Sequence, residues 1–375
     1  MKASAEKIHG EQGDSPARDF HIVTDLQWIW ESFKSGEELL SGQWNFEHDL
    51  GLWPIPHLGE NDALWIDPAS LVANNAWRAH DGQPPILLLA PPDRWLDGLS
   101  QRLLDRPVAF RSVAEILDMH KLPEAFSERP WAQPAEGRIS GFRAARRSLA
   151  QLQHDLLTVS DHGSGSRAST GPAHRRQAPE ESIIRLEGHI TDITEEWMVA
   201  VAGGVALAAS PYCIHQGSPD GASSESEEIV TIFDLSATRQ VASSIEAEGI
   251  AGKSGMPHFD EGHRSMALGI VGDALTQSHV QDDFAGMIDV AFRAERPPVI
   301  LEIAPLWCSG PYGFSSTEQA SILKAIASGR VGAAEESGCH AGADERAMRN
   351  EQDGTMKVFT AGPWMRQHYA QRYIR

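Results

Sequence analysis

Apolar positions in this chain alternate between two periods. Met287–Phe292, "MIDVAF", and Val299–Ala304, "VILEIA", change face at every residue, which is the signature of strands. The stretch "PPILLLAPP" (84–92) is a continuous apolar run bounded by prolines and predicts a buried strand. "DRWLDGLSQRLL" (93–104) predicts a helix with Trp95, Leu96, Leu99, Leu103 and Leu104 on one face. A second helix is expected in "SVAEILDMHKL", behind Ser112 as N-cap with Glu115 three residues on. "SLAQLQHDLL" (148–157) predicts a third helix and "SIIRLEG" (182–188) a strand. In "EEWMVAVAGGVALAASPY" (195–212), Gly203-Gly204 reads as a two-residue turn between two strands.

Alternation of strands and helices predicts an α/β chain. A length of 375 residues exceeds what one small core serves. The expected division is a disordered tail over 1–18, an N-terminal α/β lobe over 19–128, a second unit over 129–330, and an extension with a weak core over 331–375. Two polar, Gly/Ser-rich stretches, about 160–182 and 215–265, read as insertions in the second unit. The tryptophans Trp28, Trp30, Trp44, Trp53 and Trp65 are expected to pack the first lobe.

Charge and cysteine usage narrow the function classes. The formal net charge of −20 argues against nucleic acid or an anionic membrane as partner. No apolar run approaches a membrane span, and the first twenty residues lack the apolar core of a signal peptide. Three cysteines, Cys213, Cys308 and Cys339, form no CxxC pair, which fits a reducing cytoplasm. The chain has seven lysines, so its positive charge is mostly arginine.

The candidate chemistry lies in the pair of alternating runs joined by "RAERPP" (293–298). A symmetric hairpin places Phe292 opposite Val299, Val290 opposite Leu301 and Ile288 opposite Ile303, all on one apolar face. The other face then pairs Met287 with Ala304, Asp289 with Glu302, and Ala291 with Ile300. Two carboxylates about 5 Å apart repel by roughly 3 kcal/mol at an effective dielectric near 20. A shared proton, a bridging arginine or a divalent cation such as Mg²⁺ would each relieve this. A solvated surface strand would need none of them.

The run "DVAF … VILEIAPLWCSGPYG" resembles the C-terminal signature of ATP-grasp domains, and in particular a bacterial and phage-associated clade of amide-forming ligases. The resemblance extends over roughly 84–325, through "RPWAQPAEGRISGF" (129–142), "IIRLEG" and the hairpin ending in Ser210 and Tyr212. It implies a two-lobed fold with antiparallel sheets that clamp ATP, and Mg²⁺ on Asp289 and Glu302. It further implies nucleotide contacts from Gln133, Arg138, Glu187 and Glu196, and an acceptor pocket lined by Ser309 and Gly310. The implied reaction joins a small-molecule or peptide carboxylate to an amine through an acyl phosphate. Three positions depart from the pattern: Gln133 replaces a phosphate-binding lysine, Met198 an arginine, and Ala304 an asparagine of a second Mg²⁺ site. Each removes a positive charge or an oxygen ligand. Arg138 is the expected replacement cation, with Arg143 and Arg185 as further candidates, and a nucleotide-binding protein without catalysis is the alternative the departures imply.

Other signals point elsewhere. "AEGIAGKS" (247–254) has the loose spacing of a phosphate loop but lacks the strand and helix that such a loop needs. His258 and His263 in "HFDEGH" are expected to be solvated, and Cys308 to be a small core residue.

Overall fold

The computed structural model describes residues 20–24, 29, 46–50, 55, 58–59, 62–126, 129–135, 142–160, 175–216, 229–232, 259–310, 312–314, 316–331 and 355–366. Arg138, the phosphate-loop-like stretch 247–254, His258, Cys339 and Trp28, Trp30, Trp44 and Trp53 lie outside these residues. The architecture is mixed α/β with open, largely antiparallel sheets, as expected. Among the described residues no helix is long and apolar enough to cross a membrane.

The first lobe holds a parallel sheet of β1 (Phe20–Thr24), β2 (Phe46–Leu50) and β3 (Asp62–Trp65), ordered β2-β1-β3. Helix α1 (Pro68–His80) follows, capped by the Asp67 side chain on the Ala69 amide, with Pro68 at the first helical position. The proline-bounded run forms β4 (Leu87–Ala90). The helix expected over 93–104 is broken into a 3₁₀ turn (Trp95–Gly98) and a short α2 (Gln101–Leu104). The break falls at Leu99-Ser100, just after Gly98, yet all five apolar residues of that face are buried together.

A four-stranded antiparallel sheet follows. It joins β5 (Val108–Ser112), β6 (Trp131–Pro134), β7 (Ala145–Arg146) and β10 (Ile183–Glu187) in the order β5-β10-β6-β7. The short ribbon β8 (Val159–Ser160) and β9 (Arg175–Arg176) lies between β7 and β10 in sequence. Helices α3 (Val113–Asp118) and α4 (Leu149–Leu157) both start in capping boxes, Ser112/Glu115 and Ser148/Gln151. Their apolar faces cover one side of this sheet with Ala132, Ile184 and Leu186. The expected boundary at 128/129 passes through this sheet, because β5 pairs with β10 along its whole length.

The largest sheet runs β13-β12-β11-β14-β15 and is antiparallel throughout. Its strands are β11 (Ile193–Ala202), β12 (Val205–Gln216), β13 (Ile229–Ile232), β14 (Gly286–Arg293) and β15 (Val299–Ala304). Gly203 and Gly204 make the predicted turn with φ of 62° and 68°, the left-handed geometry of a hairpin turn. One face, with Trp197, Val199, Val201, Ile288, Val290 and Ile300, packs on helix α5 (Glu261–Gln277) through Ala267, Val271, Ala274 and Leu275. Part of this helix falls within the stretch expected to be an insertion. Asp260 caps it, and its buried residues recur at helical spacing.

The chain then returns to the first lobe. Helix α6 (Ser316–Ser328) packs on β3, while β16 (Arg330–Val331) and β17 (Lys357–Val358) pair with opposite edges of β4. The short helix α7 (Pro363–Met365) buries Trp364 in the core under the four-stranded sheet. The extension therefore contributes to three cores, through Phe359, Met356 and Trp364.

A methyl group on Gly204 would meet the Gln281 carbonyl oxygen at 3.0 Å, in a backbone conformation that L-residues avoid. Gly204→Ala is expected to destabilise the chain by about 1–2 kcal/mol, read as a lower midpoint in chemical unfolding.

Candidate functional site

The two sheets face each other with polar residues. On β10, Ile184 and Leu186 point into the core, so Arg185 and Glu187 share the opposite face. Gln133 on β6 lies across from Arg185, and its amide oxygen, turned toward that side chain, accepts from the guanidinium. On the large sheet a cross-strand row reads Ser210, Met198, Asp289, Glu302.

Asp289 and Glu302 are paired directly, as the hairpin pattern predicts, with Met287 opposite Ala304 and Ile288 opposite Ile303. Beyond Asp289 the expected register fails. Val290 pairs with Ile300 and Ala291 with Val299, so Leu301 is an extra, unpaired residue. This bulge puts Ile300 instead of Leu301 into the core. A second bulge lies in β12, where Glu196 pairs with Cys213 and Trp197 with Pro211, leaving Tyr212 unpaired. Pro211 is tolerated there because a bulge interrupts the ladder.

Both bulges shape the site. At the first, the freed carbonyls of Ile300 and Leu301 accept from the Arg106 guanidinium, each at 2.8 Å. Arg106 is buried and also donates to the Leu104 carbonyl and, through two nitrogens, to Glu187. Glu187 also takes Arg185, and Arg185 reaches Glu302 at 3.3 Å across the cleft. At the second bulge the Tyr212 hydroxyl sits between two carboxylates, 2.7 Å from Asp289 and closer to Glu196. His215 Nε2 meets the other oxygen of Glu196 at 2.6 Å.

A tyrosine hydroxyl has one proton and cannot donate to both acids at once. Asp289 is buried, and its Oδ1 has no hydrogen-bond partner among the described residues. Burial, followed by the charges of Glu196 and Glu302, holds its carboxyl well above the usual range. In this cluster four carboxylates (Glu187, Glu196, Asp289 and Glu302) meet two guanidiniums (Arg106 and Arg185) and the His215 ring. The exposed end of the arrangement is Glu302, whose side chain is 40% accessible. An oxygen-lined seat rich in carboxylates suits a hard divalent cation.

The remaining expected residues are placed as follows. Ser309 is buried, its hydroxyl donates to the Pro305 carbonyl at 2.8 Å, and its own carbonyl accepts from the Trp65 indole. Gly310 lies under the Tyr312 ring, where a Cβ would come within 3.0 Å. The Gly313 amide donates to Ser210 Oγ at 2.9 Å, so this loop borders the Asp289 row. Arg143 is exposed, and the cation that faces Gln133 is Arg185, its cross-strand neighbour. Met198 belongs to an apolar cluster with Ala200, Ala208 and Met287. Cys308 is a core thiol pushed up by burial, as expected. His263, expected to be solvated, stacks on Phe292 and meets Glu195 at 2.9 Å. Sequence reasoning also missed Arg106, which precedes Pro107 and reads as a loop charge, and the triad of Glu196, Cys213 and His215. A depression of about 480 Å³ beside the β11–β12 turn, lined by Leu268, Leu275 and Val280, lies against α5 on the opposite face of the sheet from these acids.

No family model and no curated protein matches the chain. Solved structures similar to it include several ligases and synthetases. D-cycloserine synthetase DcsG is 14% identical with a TM-score of 0.42, over 82% of this chain and 98% of its own. An L-amino acid ligase from Bacillus licheniformis is 13% identical with a TM-score of 0.38, over 85% and 76% respectively. The ATP-grasp ligase PsnB, complexed with minimal precursor, Mg and ADP, is 8% identical with a TM-score of 0.36, over 82% and 97%.

Arg106→Met is expected to cost roughly 3–5 kcal/mol, since it removes one of the two cations on buried Glu187 and leaves three carbonyls without their donor; the check is the shift in denaturant midpoint. Asp289 takes up a proton more readily folded than unfolded, so its contribution is full below about pH 4 and is lost as pH rises toward its folded value. In chelator, Asp289→Asn is therefore expected to raise the melting temperature at neutral pH and to flatten its fall with rising pH.

Proposed function

We propose that this chain is an ATP-grasp protein, an ATP- and Mg²⁺-dependent ligase that joins a carboxylate to an amine. The observation that carries the reading is the in-register pair Asp289–Glu302, with a buried Asp289 oxygen that has no partner among the described residues. These residues fit a divalent cation, and Asp289 and Glu302 would hold it. Mg²⁺ bound there with ATP would supply charge neutralisation for phosphoryl transfer.

The other roles follow from position. Arg185, shared between Glu187 and Glu302, is the cation on the cleft wall, and its planar fork suits phosphate oxygens. It takes the place expected of Arg138 and compensates for Gln133. Glu187 and Arg106 position Arg185 and are not assigned to the nucleotide. Glu196 and Tyr212 hold Asp289 from its other side. The loop at Ser309 and Gly310 would line the acceptor pocket with its backbone, because the Ser309 hydroxyl is engaged by Pro305. The row next to Asp289 is apolar, with Ala208, Ala200, Met287 and Ala304, so the seat takes a single cation.

A second reading, nucleotide binding without turnover, is favoured by Met198, whose apolar side chain occupies the position opposite Asp289. Both readings place the nucleotide in the same cleft, and one experiment separates them. Full-length chain with ATP and Mg²⁺ is expected to melt at a higher temperature than chain alone, with EDTA reversing the gain. ADP release in a panel of carboxylates and amines marks the ligase; stabilisation without ADP marks the second reading. Glu302→Gln should abolish the gain, and Arg185→Ala should weaken ATP binding by about 10–150-fold, the equivalent of a charge-assisted hydrogen bond worth about 1.5–3 kcal/mol. A melting temperature indifferent to Mg²⁺ and ATP would exclude both.

A further inference from the structure

Beside the oxygen-lined seat, the large sheet gathers a different set of donors. Glu196 on β11 and Cys213 on β12 are cross-strand partners, and His215 lies two residues further along β12 on the same face. One carboxylate oxygen, the Cys213 sulfur and one ring nitrogen all lie within 4.8 Å of one another. Cys213 is buried at 1% exposure, and the side chains of Glu196 and His215 are 14% and 13% accessible. The Tyr212 bulge creates this arrangement, because it lets Tyr212 and Cys213 both serve the Glu196 row although they are consecutive.

We infer that Glu196, Cys213 and His215 form a second metal site, distinct from Asp289–Glu302, that takes a borderline transition-metal ion of the zinc class. Thiolate and imidazole donors select such ions over Mg²⁺, whereas the carboxylate pair suits Mg²⁺. Bonds of about 2.0–2.3 Å at tetrahedral angles place ligand atoms about 3.3–3.6 Å apart. The triad reaches that spacing by side-chain rotation that opens the 2.6 Å contact between His215 and Glu196. Binding replaces the Cys213 S–H bond with an S–metal bond and releases the proton to solvent. Three protein ligands leave a fourth position for water or a substrate atom. The Tyr212 hydroxyl, between Glu196 and Asp289, connects the two seats.

The inference does not rest on the proposed ligase activity, and its test uses the metal alone. Full-length chain without a polyhistidine tag is titrated with Co²⁺, and the absorption spectrum is followed. The expected result is saturation at one equivalent with a thiolate-to-cobalt charge-transfer band, removed by Zn²⁺ and unchanged by excess Mg²⁺. Cys213→Ser should abolish the band. His215→Ala should weaken Co²⁺ binding by at least about 10–100-fold, the loss that even outer-shell changes produce. If His215→Ala melts below the parent chain in chelator, His215→Gln, which keeps a hydrogen bond to Glu196, takes its place. Absence of the band, or a band that persists in Cys213→Ser, overturns the site. Stabilisation by ATP and Mg²⁺, scored on the same samples, fails or survives independently.

Discussion

The arrangement depends on one buried guanidinium. Arg106 spends all five of its N–H groups inside the protein, on Glu187, on Leu104 and on two consecutive carbonyls of β15. Those carbonyls are available because Leu301 is squeezed out of the ladder. The same contact therefore satisfies the bulge and fixes the four-stranded sheet against the large one. Glu187, neutralised by Arg106, can also hold Arg185 toward the cleft. A buried charge is costly unless fully partnered. Here the partnering brings two sheets into register across a cleft instead of adding stability to either one.

Positive charge in the cleft is supplied differently from the pattern the sequence resembles. A lysine at Gln133 would project from β6, whereas Arg185 projects from the adjacent β10 at the same height. On the proposed reading the cation sits one strand across from the expected lysine, with Gln133 as its acceptor. Negative charge is not matched in the same way. The Tyr212 hydroxyl faces both Glu196 and Asp289 with a single proton to donate.

What was legible in the sequence follows from which signals are local. Alternation in "MIDVAF" and "VILEIA" marked the Asp289–Glu302 pair but put Leu301 where Ile300 enters the core, and two adjacent glycines marked the β11–β12 turn. Both bulges escaped, because the extra residue shows only when a strand is counted against its partner. The triad around Cys213 escaped for the same reason. Helix α5 was hidden by its polar start and by Gly269 and Gly272, although Ala267, Val271, Ala274 and Leu275 carry its stripe. Arg106 offered no local signal at all, since its importance comes from carbonyls nearly two hundred residues away.

Strand β4 has a consequence for how the chain is made. Leu87–Ala90 is apolar, and its two neighbours in the sheet are residues 330–331 and 357–358. During synthesis this strand leaves the ribosome long before either partner exists, with both edges open. Its flanking prolines, Pro84, Pro85, Pro91 and Pro92, are poor templates for strand addition and limit intermolecular pairing during that wait. The nascent chain thus has a built-in interval of vulnerability, and chaperone dependence should track the time between those segments more than the stability of the finished fold.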